Sequence, residues 1–542
     1  MRQDGLAIGL AILAGLVLFL PFIGITHLFD WDEINFAESA REMLLTGDYL
    51  NVQINFEHFR EKPPLFIWMQ VLSMKLFGIN EFAARFPNTI CSIFTLTALY
   101  RVGQRVHGHR FGLMWMLVYL GSVLPFFYFK SGLIDPWFNL FTFLGIAYFA
   151  YYFIYKQSRR LNLVLAAVFI GLGILTKGPV ALLILLLVFL VYLFYQRFRI
   201  KSSFADVLLF TFVLVLVGGF WFLLQILNGN LEIIQDFITY QIRLFQTEDA
   251  GHGGFMLYHF VVMLLGVFPA SVFAIRYLFK RTGRSKSEDI FLRWMKILFW
   301  TVLILFTVVS TKIVHYSSMA YLPLTFIATL HISKLVRGNK FIRVIGKTLI
   351  FVIAVLYTLV VSAISQIEYL KSRIDLSEYI QDPFALDNLE ARAGWHGWEW
   401  SIGIVFLLTL SYFLFIEKRN RIKVYGLFAS TALFTFLTVV FITPRIEEYS
   451  QHSAIEFYKS LESQDVYVAT LGYKSYAQYF YSKIEPHGNI KASDKEWLLS
   501  GEIDKPAYFV MKIHRKDQYL QRYQQLELLY EKNGFVFTKR KD

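Results

Sequence analysis

The sequence predicts an α-helical polytopic membrane protein of about thirteen transmembrane helices, followed by a small α/β domain. The first observation is composition, because 56% of the 542 residues are hydrophobic, only 17% are charged and the mean hydropathy is +0.48. The second is that apolar runs of about 20 residues, the length that crosses a bilayer, recur up to residue 443 and then stop. Soluble domains carry about a quarter charged residues, so coiled-coil, disordered and nucleic-acid-binding classes are excluded.

The predicted spans follow from the need to satisfy every backbone polar group within one apolar segment. They are 6–26, 81–103, 111–129, 133–155, 161–176, 178–196, 206–227, 257–279, 291–310, 316–334, 341–363, 399–416 and 422–443. The pair at 161–196 is separated only by Thr176-Lys177-Gly178-Pro179, where Gly and Pro break a helix. The run 64–77 is too short to cross and predicts an interfacial helix.

Orientation is predicted from the basic residues, which favour cytoplasmic loops. Alternate connections are rich in Lys and Arg, beginning with Arg101, Arg105 and Arg110, so we expect these connections and the N-terminus to lie inside. An odd number of spans then places the C-terminus outside. Residues 1–443 form the predicted membrane domain, with 27–80 as its first outer segment, and 444–542 form an outer domain.

The outer domain shows short buried-strand patterns at 466–469 and 507–511. Helical patterns lie near 473–482 and 515–530. This alternation predicts a small α/β domain.

Carboxylates are concentrated just after the first span. Asp32 and Glu33 begin an amphipathic pattern over 34–45, which predicts a helix resting on the membrane and ending at Gly47. Two interpretations of Asp32 remain open at this point. It is either a cap for this helix or an acid presented to a substrate.

The next polar motif is Arg60-Glu61-Lys62-Pro63-Pro64. Pro63 disfavours a helical conformation at Lys62, and neighbouring side chains of an extended stretch point to opposite sides. Lys62 therefore suits a lipid phosphate, and Glu61 suits a metal or a sugar hydroxyl. The alternative is an exposed pair of charges beside a turn.

Further ionisable residues lie at the ends of predicted spans on the same outer face. They are Lys130, Asp135, Lys177, Lys312, His315 and Tyr316. Lysines at span ends also snorkel to the interface without any other role. Together, however, these residues indicate a cationic, carboxylate-containing chamber that fits an anionic lipid headgroup.

Cofactor expectations are limited. His252 lies in the glycine-rich stretch Gly251-His252-Gly253-Gly254, and with Glu61 it forms a reasonable but incomplete metal pair; a histidine without a metal role is the alternative. The single cysteine, Cys91, excludes a disulfide framework and a cysteine metal cluster. Because the sequence has no P-loop and no GxGxxG motif, we expect no nucleotide cofactor.

The first outer segment carries a series of linked motifs, namely Asp32-Glu33, Ala37-Glu38, Arg41-Glu42-Met43, Gly47-Asp48 and Glu61-Lys62-Pro63-Pro64-Leu65. This series resembles the first outer loop of bacterial membrane glycosyltransferases of the GT-C superfamily. It is most similar to the branch that contains the lipid A aminoarabinose transferase and the protein O-mannosyltransferase-like enzymes. Asp135, Lys177-Gly178-Pro179 and Lys312 with Tyr316 also match the branch. The resemblance extends to about residue 335.

The resemblance implies a bacterial inner-membrane enzyme that moves a sugar from a polyprenyl (undecaprenyl) phosphate to an envelope lipid or protein. Asp32, with Asp135 and the adjacent Glu33, is implied as the catalytic acid set. The lipid phosphate and substrate are implied to contact Lys62, Lys312, Tyr316, Lys177 and Arg60. Glu61 with His252 is implied to bind a divalent metal, such as zinc. The chain departs from the aminoarabinose transferase at Asn35, where that enzyme has an arginine, and at Phe59-Arg60, where it has Tyr-Phe.

Two other function classes share these general features. A lipid-linked-sugar transporter or flippase is also polytopic, but such proteins tend to have internal repeats and polar residues at mid-membrane. An O-antigen ligase or polymerase uses a similar donor but lacks the paired first-loop motifs.

Overall fold

The computed structural model describes residues 2–199, 202–246, 253–280, 286–338, 342–486 and 489–540. The membrane part is mainly helical and also contains the short antiparallel strand pair Gln53–Ile54 and Glu57–His58. Its α-helices before residue 231 are Arg2–Ala14, Asp32–Thr46, Leu65–Phe77, Glu81–His107, His109–Leu120, Val123–Tyr128, Asp135–Ile154, Arg159–Lys177, Val180–Tyr195, Phe204–Gly218 and Phe220–Leu227. Those that follow are Leu231–Gln246, Tyr258–Gly266, Ala270–Leu278, Lys286–Val308, Tyr321–Arg337, Val344–Ser365, Ile367–Lys371, Pro383–Asn388, Trp400–Ser411, Asn420–Leu437 and Thr443–Glu448.

The polytopic helical class is confirmed. Six helices of the described residues are long and apolar enough to cross a membrane, or seven when the pair Phe204–Gly218 and Phe220–Leu227, bent by 61°, is one span. Other predicted spans correspond to shorter or interrupted helices. The run predicted at 111–129 is divided after Leu120, and the run at 257–279 is divided after Gly266. The short predicted helix at 64–77 is present as Leu65–Phe77.

The helix Asp32–Thr46 lies inside the protein, and the prediction that it rests on the membrane is wrong. Every residue from Glu33 to Met43 is buried, polar ones included. Its buried acidic side chains are hydrogen-bonded within the protein. Glu38 accepts from Arg41 at 2.6 and 2.7 Å, and Glu42 accepts from the backbone N–H of Phe56 at 2.8 Å. Burial and the neighbouring Glu38 raise the pKa of Glu42 to about 9.

The outer domain contains a four-stranded mixed sheet. Its strands are Tyr467–Leu471, Ala507–Lys512, Leu526–Lys532 and Phe535–Arg540. The first two are parallel and correspond to the predicted strands, while the last two form an antiparallel hairpin beside them. The helices of this part of the chain are His452–Ser460, Ala477–Ser482, Lys495–Ser500 and Lys516–Arg522.

The predicted helix over 515–530 is therefore wrong in its second half. It ends at Arg522, and the chain then enters the strand Leu526–Lys532. The turn Asn533-Gly534 has positive φ at both residues, 49° and 76°, as the favoured two-residue hairpin turn requires. This Asn-Gly pair is the sequence signal that identifies the hairpin.

The outer domain packs against the segment that follows the first helix. Tyr481 accepts a hydrogen bond from the Leu28 N–H at 2.7 Å, and Gln451 donates to the Leu28 carbonyl at 2.7 Å. Gln451 also accepts from the Asp30 N–H at 3.1 Å, and Arg41 donates to the Ile484 carbonyl at 2.8 Å. These contacts position the short segment that leads into Asp32.

Candidate active site

A cavity of about 510 Å³ lies where the first outer segment meets the ends of several helices. It combines aromatic walls with a small number of acids and bases, as expected for a site that binds an organic ligand. Its ionisable and polar lining includes Asp30, Asp32, Glu33, Glu61, Lys62, Ser131, Asp135, Lys177, Tyr240, Gln241, His315 and Tyr316. The structure thus brings together eight of the residues predicted from the sequence.

Asp32 is the first residue of its helix and faces this cavity. The position before it is Trp31, and no side chain caps the helix there, so the capping interpretation of Asp32 is wrong. A carboxylate in the first helical turn is favoured by the helix dipole. Its Oδ2 lies 3.4 Å from Nε2 of His315, and about a third of its side chain is exposed. Asp32 is therefore oriented by His315 and accessible from the cavity.

Asp135 forms a second acidic group at the start of the helix Asp135–Ile154. Its Oδ1 accepts from Nζ of Lys177 at 2.7 Å and from the Ser318 hydroxyl at 3.4 Å. Its Oδ2 is buried and has no hydrogen-bond partner among the described residues. A buried acceptor without a donor is costly, so this oxygen is suited to a substrate hydroxyl. The Lys177 ammonium also lies 5.6 Å from the centroid of the Tyr316 ring.

Lys62 and Glu61 extend the cavity lining from the loop before Leu65. The Lys62 ammonium lies 5.5 Å from the centroid of the Tyr240 ring, and no carboxylate pairs with it in the described part of the chain. Gln241 donates to the Glu61 carbonyl at 3.3 Å and so holds the loop to the helix Leu231–Gln246. Lys62 is thus an accessible cation on the cavity wall.

Glu33 is held in a different way from Asp32. Both of its oxygens accept from the Arg85 guanidinium, at 3.0 and 2.7 Å, and it also accepts from the N–H groups of Gly132 and Phe29. Burial alone would raise the pKa of Glu33, but Arg85 and these hydrogen bonds more than offset it and hold the pKa below its usual range. Arg85 in turn donates to the carbonyls of Ile23, Thr26 and His27. Glu33 therefore holds the surrounding loops together. Both of its carboxylate oxygens are occupied by hydrogen bonds, which argues against the catalytic role predicted for it.

Two predicted phosphate ligands lie outside the lining of the cavity. The Lys312 ammonium donates to the carbonyls of Thr307 at 2.6 Å and Val309 at 2.5 Å, at the end of the helix Lys286–Val308. Arg60 pairs with Asp236. Lys130, also expected in the chamber, donates to the Pro21 carbonyl at 2.5 Å. The predicted metal ligand His252 lies outside the described residues.

The sequence predicts His315 only as a member of the chamber, without a role of its own, and it does not predict Tyr240 or Asp30 in the site. His315 lies three residues after Lys312, and it lines the cavity whereas Lys312 does not. Tyr240 comes from a helix with no distinguishing motif. Asp30 precedes the recognised Asp32-Glu33 pair, and its position two residues earlier was the available signal.

A second cavity, of about 520 Å³, shares Asp30 with the first. It lies between the outer domain and the helix Pro383–Asn388, and its lining includes Tyr449, Tyr473, Lys474, Lys512 and Phe535. Lys474 lies 4.4 Å from the Trp31 ring centroid, and Lys512 lies 4.3 Å from that of Phe384. Asp30 is open to both cavities, yet the surrounding protein desolvates its carboxylate and raises its pKa to about 6.

Part of the chain matches a known protein family. Residues 61–221, under a third of the chain, match the family described as dolichyl-phosphate-mannose-protein mannosyltransferase. This range contains Lys62, Asp135 and Lys177.

Several curated relatives align over longer stretches. An uncharacterised protein of Aquifex aeolicus is 24% identical over 65% of this chain and 69% of its own length. The undecaprenyl phosphate-alpha-4-amino-4-deoxy-L-arabinose arabinosyl transferase of Edwardsiella ictaluri is 27% identical over 62% of this chain and 61% of its own length. The enzyme of the same name from Photorhabdus laumondii is 26% identical over 44% of this chain and 43% of its own length. The chain thus matches about two fifths to three fifths of the length of these two transferases.

The solved structures give the longest match. The crystal structure of ArnT from Cupriavidus metallidurans bound to undecaprenyl phosphate superposes with a TM-score of 0.75, covering 98% of this chain and 97% of ArnT at 17% identity. This chain has an ArnT-like fold. The apo form of the same ArnT has a TM-score of 0.74 and covers 99% of this chain. The ArnT-like fold accounts for both the helical membrane part and the small outer domain, and the resemblance inferred from the sequence is confirmed.

Proposed function

We propose that this ArnT-like chain is a glycosyltransferase that moves a sugar from undecaprenyl phosphate, or a similar polyprenyl phosphate, to an envelope acceptor. The observation that carries the proposal is a single cavity in which Asp32 and Asp135 face the basic side chains of Lys62 and Lys177. Support also comes from relatives named as undecaprenyl phosphate-aminoarabinose transferases and from the ArnT structure that contains undecaprenyl phosphate.

The proposed reaction is attack by an acceptor hydroxyl oxygen on the anomeric carbon of the lipid-linked sugar. The new carbon–oxygen bond forms as the bond from the anomeric carbon to the donor phosphate oxygen breaks, and the electron pair leaves with polyprenyl phosphate. The hydroxyl proton passes to Asp32 as general base. His315, 3.4 Å from Asp32, orients this carboxylate. When the acceptor is itself an anionic phosphate, Asp32 instead orients the acceptor or the sugar.

The leaving phosphate requires positive charge on the cavity wall. Lys62 suits this role because it has no carboxylate partner among the described residues, whereas the charge of Lys177 is compensated by Asp135. Asp135 then binds a sugar hydroxyl through Oδ2, and Lys177 and Ser318 position its carboxylate.

Lys62→Ala is expected to weaken binding of undecaprenyl phosphate by about tenfold or more, because a hydrogen bond to a charged group is worth roughly 1.5–3 kcal/mol. Binding of the lipid to protein in detergent, measured by native mass spectrometry, tests this. Lys75→Ala is the matched control, since Lys75 lies on the same outer segment but outside the cavity lining, over Tyr49. Equal affinities for wild type and Lys62→Ala would remove Lys62 from the phosphate site.

A divalent metal, such as zinc, is a further part of the proposal. Glu61 lines the cavity and supplies one oxygen ligand, and His252 supplies a nitrogen from a segment outside the described residues. Such an ion would add positive charge beside the donor phosphate when bound.

We also propose that the acceptor carries an anionic headgroup and binds in the second cavity. This cavity meets the first at Asp30, so an occupant there can present a hydroxyl towards Asp32. The ammonium groups of Lys474 and Lys512 lie over aromatic rings and form no ion pair with a carboxylate among the described residues, which leaves their charge available to phosphate. The aromatic rings provide surfaces for sugar. A phosphorylated glycolipid fits this combination better than an unmodified polypeptide.

Replacing both lysines, in Lys474→Ala/Lys512→Ala, is expected to weaken binding of a bis-phosphorylated glycolipid by about tenfold or more. Binding is measured in detergent micelles with the glycolipid and with its dephosphorylated form. Lys516→Ala is the control, because Lys516 lies in the same domain but already pairs with Glu531. Loss of preference for the phosphorylated form only in the double variant supports the assignment. An unchanged preference excludes it.

The arrangement favours an enzyme over a transporter or flippase. Asp32 and Asp135 lie at the first residues of their helices, and Lys177 lies at the last residue of its helix. The site is therefore built at helix ends on one side of the bundle, whereas transporter sites lie near the midplane of broken helices. An O-antigen ligase-like enzyme remains the second candidate, because it would use a similar lipid donor.

The proposed topology has all thirteen predicted spans crossing a bacterial inner membrane, including those built from shorter or interrupted helices. The N-terminus is cytoplasmic, and the cavity and the outer domain face the periplasm. Basic connections on the opposite side support this orientation.

A further inference from the structure

Three side chains with metal-binding chemistry meet at the junction of the first outer segment, the last long helix and the outer domain. His27, Glu447 and His452 each offer a ligand atom, and these atoms lie within 4.8 Å of one another. Nδ1 of His27 is 2.9 Å from Oε1 of Glu447, and Nδ1 of His452 is 3.1 Å from Oε2 of Glu447. Within the residues that the structure describes, this is the one such group of three.

The charge around these three residues is predominantly negative. Besides Glu447, the carboxylate of Glu448 lies 3.5 Å from Nε2 of His452, and that of Glu456 lies 3.8 Å from Nε2 of His27. The nearest ammonium is that of Lys459, 3.4 Å from Glu456 and 2.6 Å from Nε2 of His27. With neutral imidazoles, three carboxylates face one ammonium in a chain whose formal net charge is +13. A divalent cation bound here would compensate this excess of negative charge.

We propose that His27, Glu447 and His452 form a binding site for a divalent transition-metal ion, with zinc as the best match. Two imidazole nitrogens and one carboxylate oxygen are a ligand set that zinc uses, at bond lengths of about 2.0–2.2 Å. Ligand atoms around such an ion lie about 3–3.5 Å apart, close to the two distances observed here. Water would complete the coordination.

The second nitrogen of each histidine already has an acidic neighbour. Nε2 of His27 lies 3.8 Å from the Glu456 carboxylate and 2.6 Å from the Lys459 ammonium, which is itself 3.4 Å from Glu456. Glu448 occupies the corresponding place at His452. Carboxylates in this position fix the tautomer and orientation of metal-bound histidines.

The site would fasten the outer domain to the segment that carries Asp32. His27 is followed by Leu28 and Asp30, which Gln451 already holds through two hydrogen bonds, and Gln451 adjoins His452. A metal at the junction therefore positions the loop that enters the active-site cavity. It is distinct from the proposed Glu61–His252 pair, because Glu61 lines the cavity and none of these three residues does.

The test is metal content of the full chain in detergent, stripped with chelator, equilibrated with zinc and then passed through a desalting column. We expect His27→Ala/His452→Ala to bind one zinc ion fewer per chain than wild type. We also expect zinc to raise the melting temperature of wild type by several degrees and to leave that of the double variant unchanged, because only the folded site binds the ion. Glu447→Gln keeps a hydrogen-bond acceptor for the histidines and is expected to lose zinc while remaining folded.

His396→Ala is the matched control, because Nδ1 of His396 contacts Glu399 at 2.9 Å in the same way but outside the cluster. Zinc content of Glu61→Gln measures the ion proposed for the active-site cavity. If that ion does not exist, the comparison of wild type with His27→Ala/His452→Ala still tests the site at the junction. The inference is overturned when the double variant and Glu447→Gln bind as much zinc as wild type. Two results in wild type together would also overturn the inference. The first is that all of its bound zinc is lost in Glu61→Gln, and the second is that zinc leaves its melting temperature unchanged.

Discussion

Asp32→Asn is expected to reduce sugar transfer by roughly 10²- to 10⁴-fold, the usual contribution of a positioned general base. The amide keeps the size and hydrogen-bonding outline of the carboxylate but cannot take up the acceptor proton. Because Asp32 is about a third exposed and caps nothing, the variant is expected to fold as wild type does.

The measurement pairs turnover with binding. Transfer from undecaprenyl phosphate-linked sugar is followed by mass spectrometry of the lipid products, and binding of undecaprenyl phosphate is measured on the same preparation. Asp465→Asn, an exposed aspartate of the outer domain that pairs with Lys505, is the matched control. Turnover at the wild-type rate in Asp32→Asn would exclude Asp32 as the base, whereas lost lipid binding would make it a binding residue.

Glu33→Gln is expected to lower the free energy of unfolding by about 3–5 kcal/mol, the loss typical of a broken buried ion pair. The side chains of Glu33 and Arg85 are only 3% and 4% exposed. Removing the negative charge leaves the Arg85 guanidinium buried without a counter-ion. The measurement is thermal unfolding in detergent, with exposed Glu57→Gln from the same outer segment as control.

The same pair predicts an acid-dependent loss of stability. The pKa of Glu33 in the folded protein is below its ordinary value of 4.5, so its contribution is complete above that pH and is lost as the pH falls through the lower folded-state value. Glu33→Gln should be less stable at neutral pH and less sensitive to acid. A variant as stable as wild type but inactive would instead support the catalytic role first predicted for Glu33.

Much of the architecture could be predicted because it depends on composition and periodicity. The short helix Leu65–Phe77 and the strands Tyr467–Leu471 and Ala507–Lys512 follow from local apolar patterns. The strand Leu526–Lys532 was missed because only its first residue is buried. An edge strand with an exposed face has a sequence pattern that a helix can share.

The sequence predicted the kinds of side chain in the candidate site, acids and lysines, but only some of the residues that form it. Asp32 and Lys62 are predicted from the motifs of the first outer segment, and Asp135 and Lys177 from charges at the ends of predicted spans. All four line the cavity. Lys312 was recognised for the same reason, yet its ammonium is occupied by carbonyls at the end of a helix. The position of a charged residue in the sequence shows that it lies near a membrane face. It does not show which residues from other segments are close enough to form a hydrogen bond or ion pair with it.

The sequence by itself determined that this chain is a multi-helix membrane protein with acids and lysines near the ends of its helices. Hydrophobic length and the cost of charge in a bilayer are local properties, so they can be read from a single chain. Only the tertiary structure decided that the Asp32 carboxylate is accessible. It also decided that the neighbouring Glu33 forms an ion pair with Arg85, 52 positions away. Hydrogen bonds act over about 3 Å, and such contacts between distant segments exist only once the helices have packed.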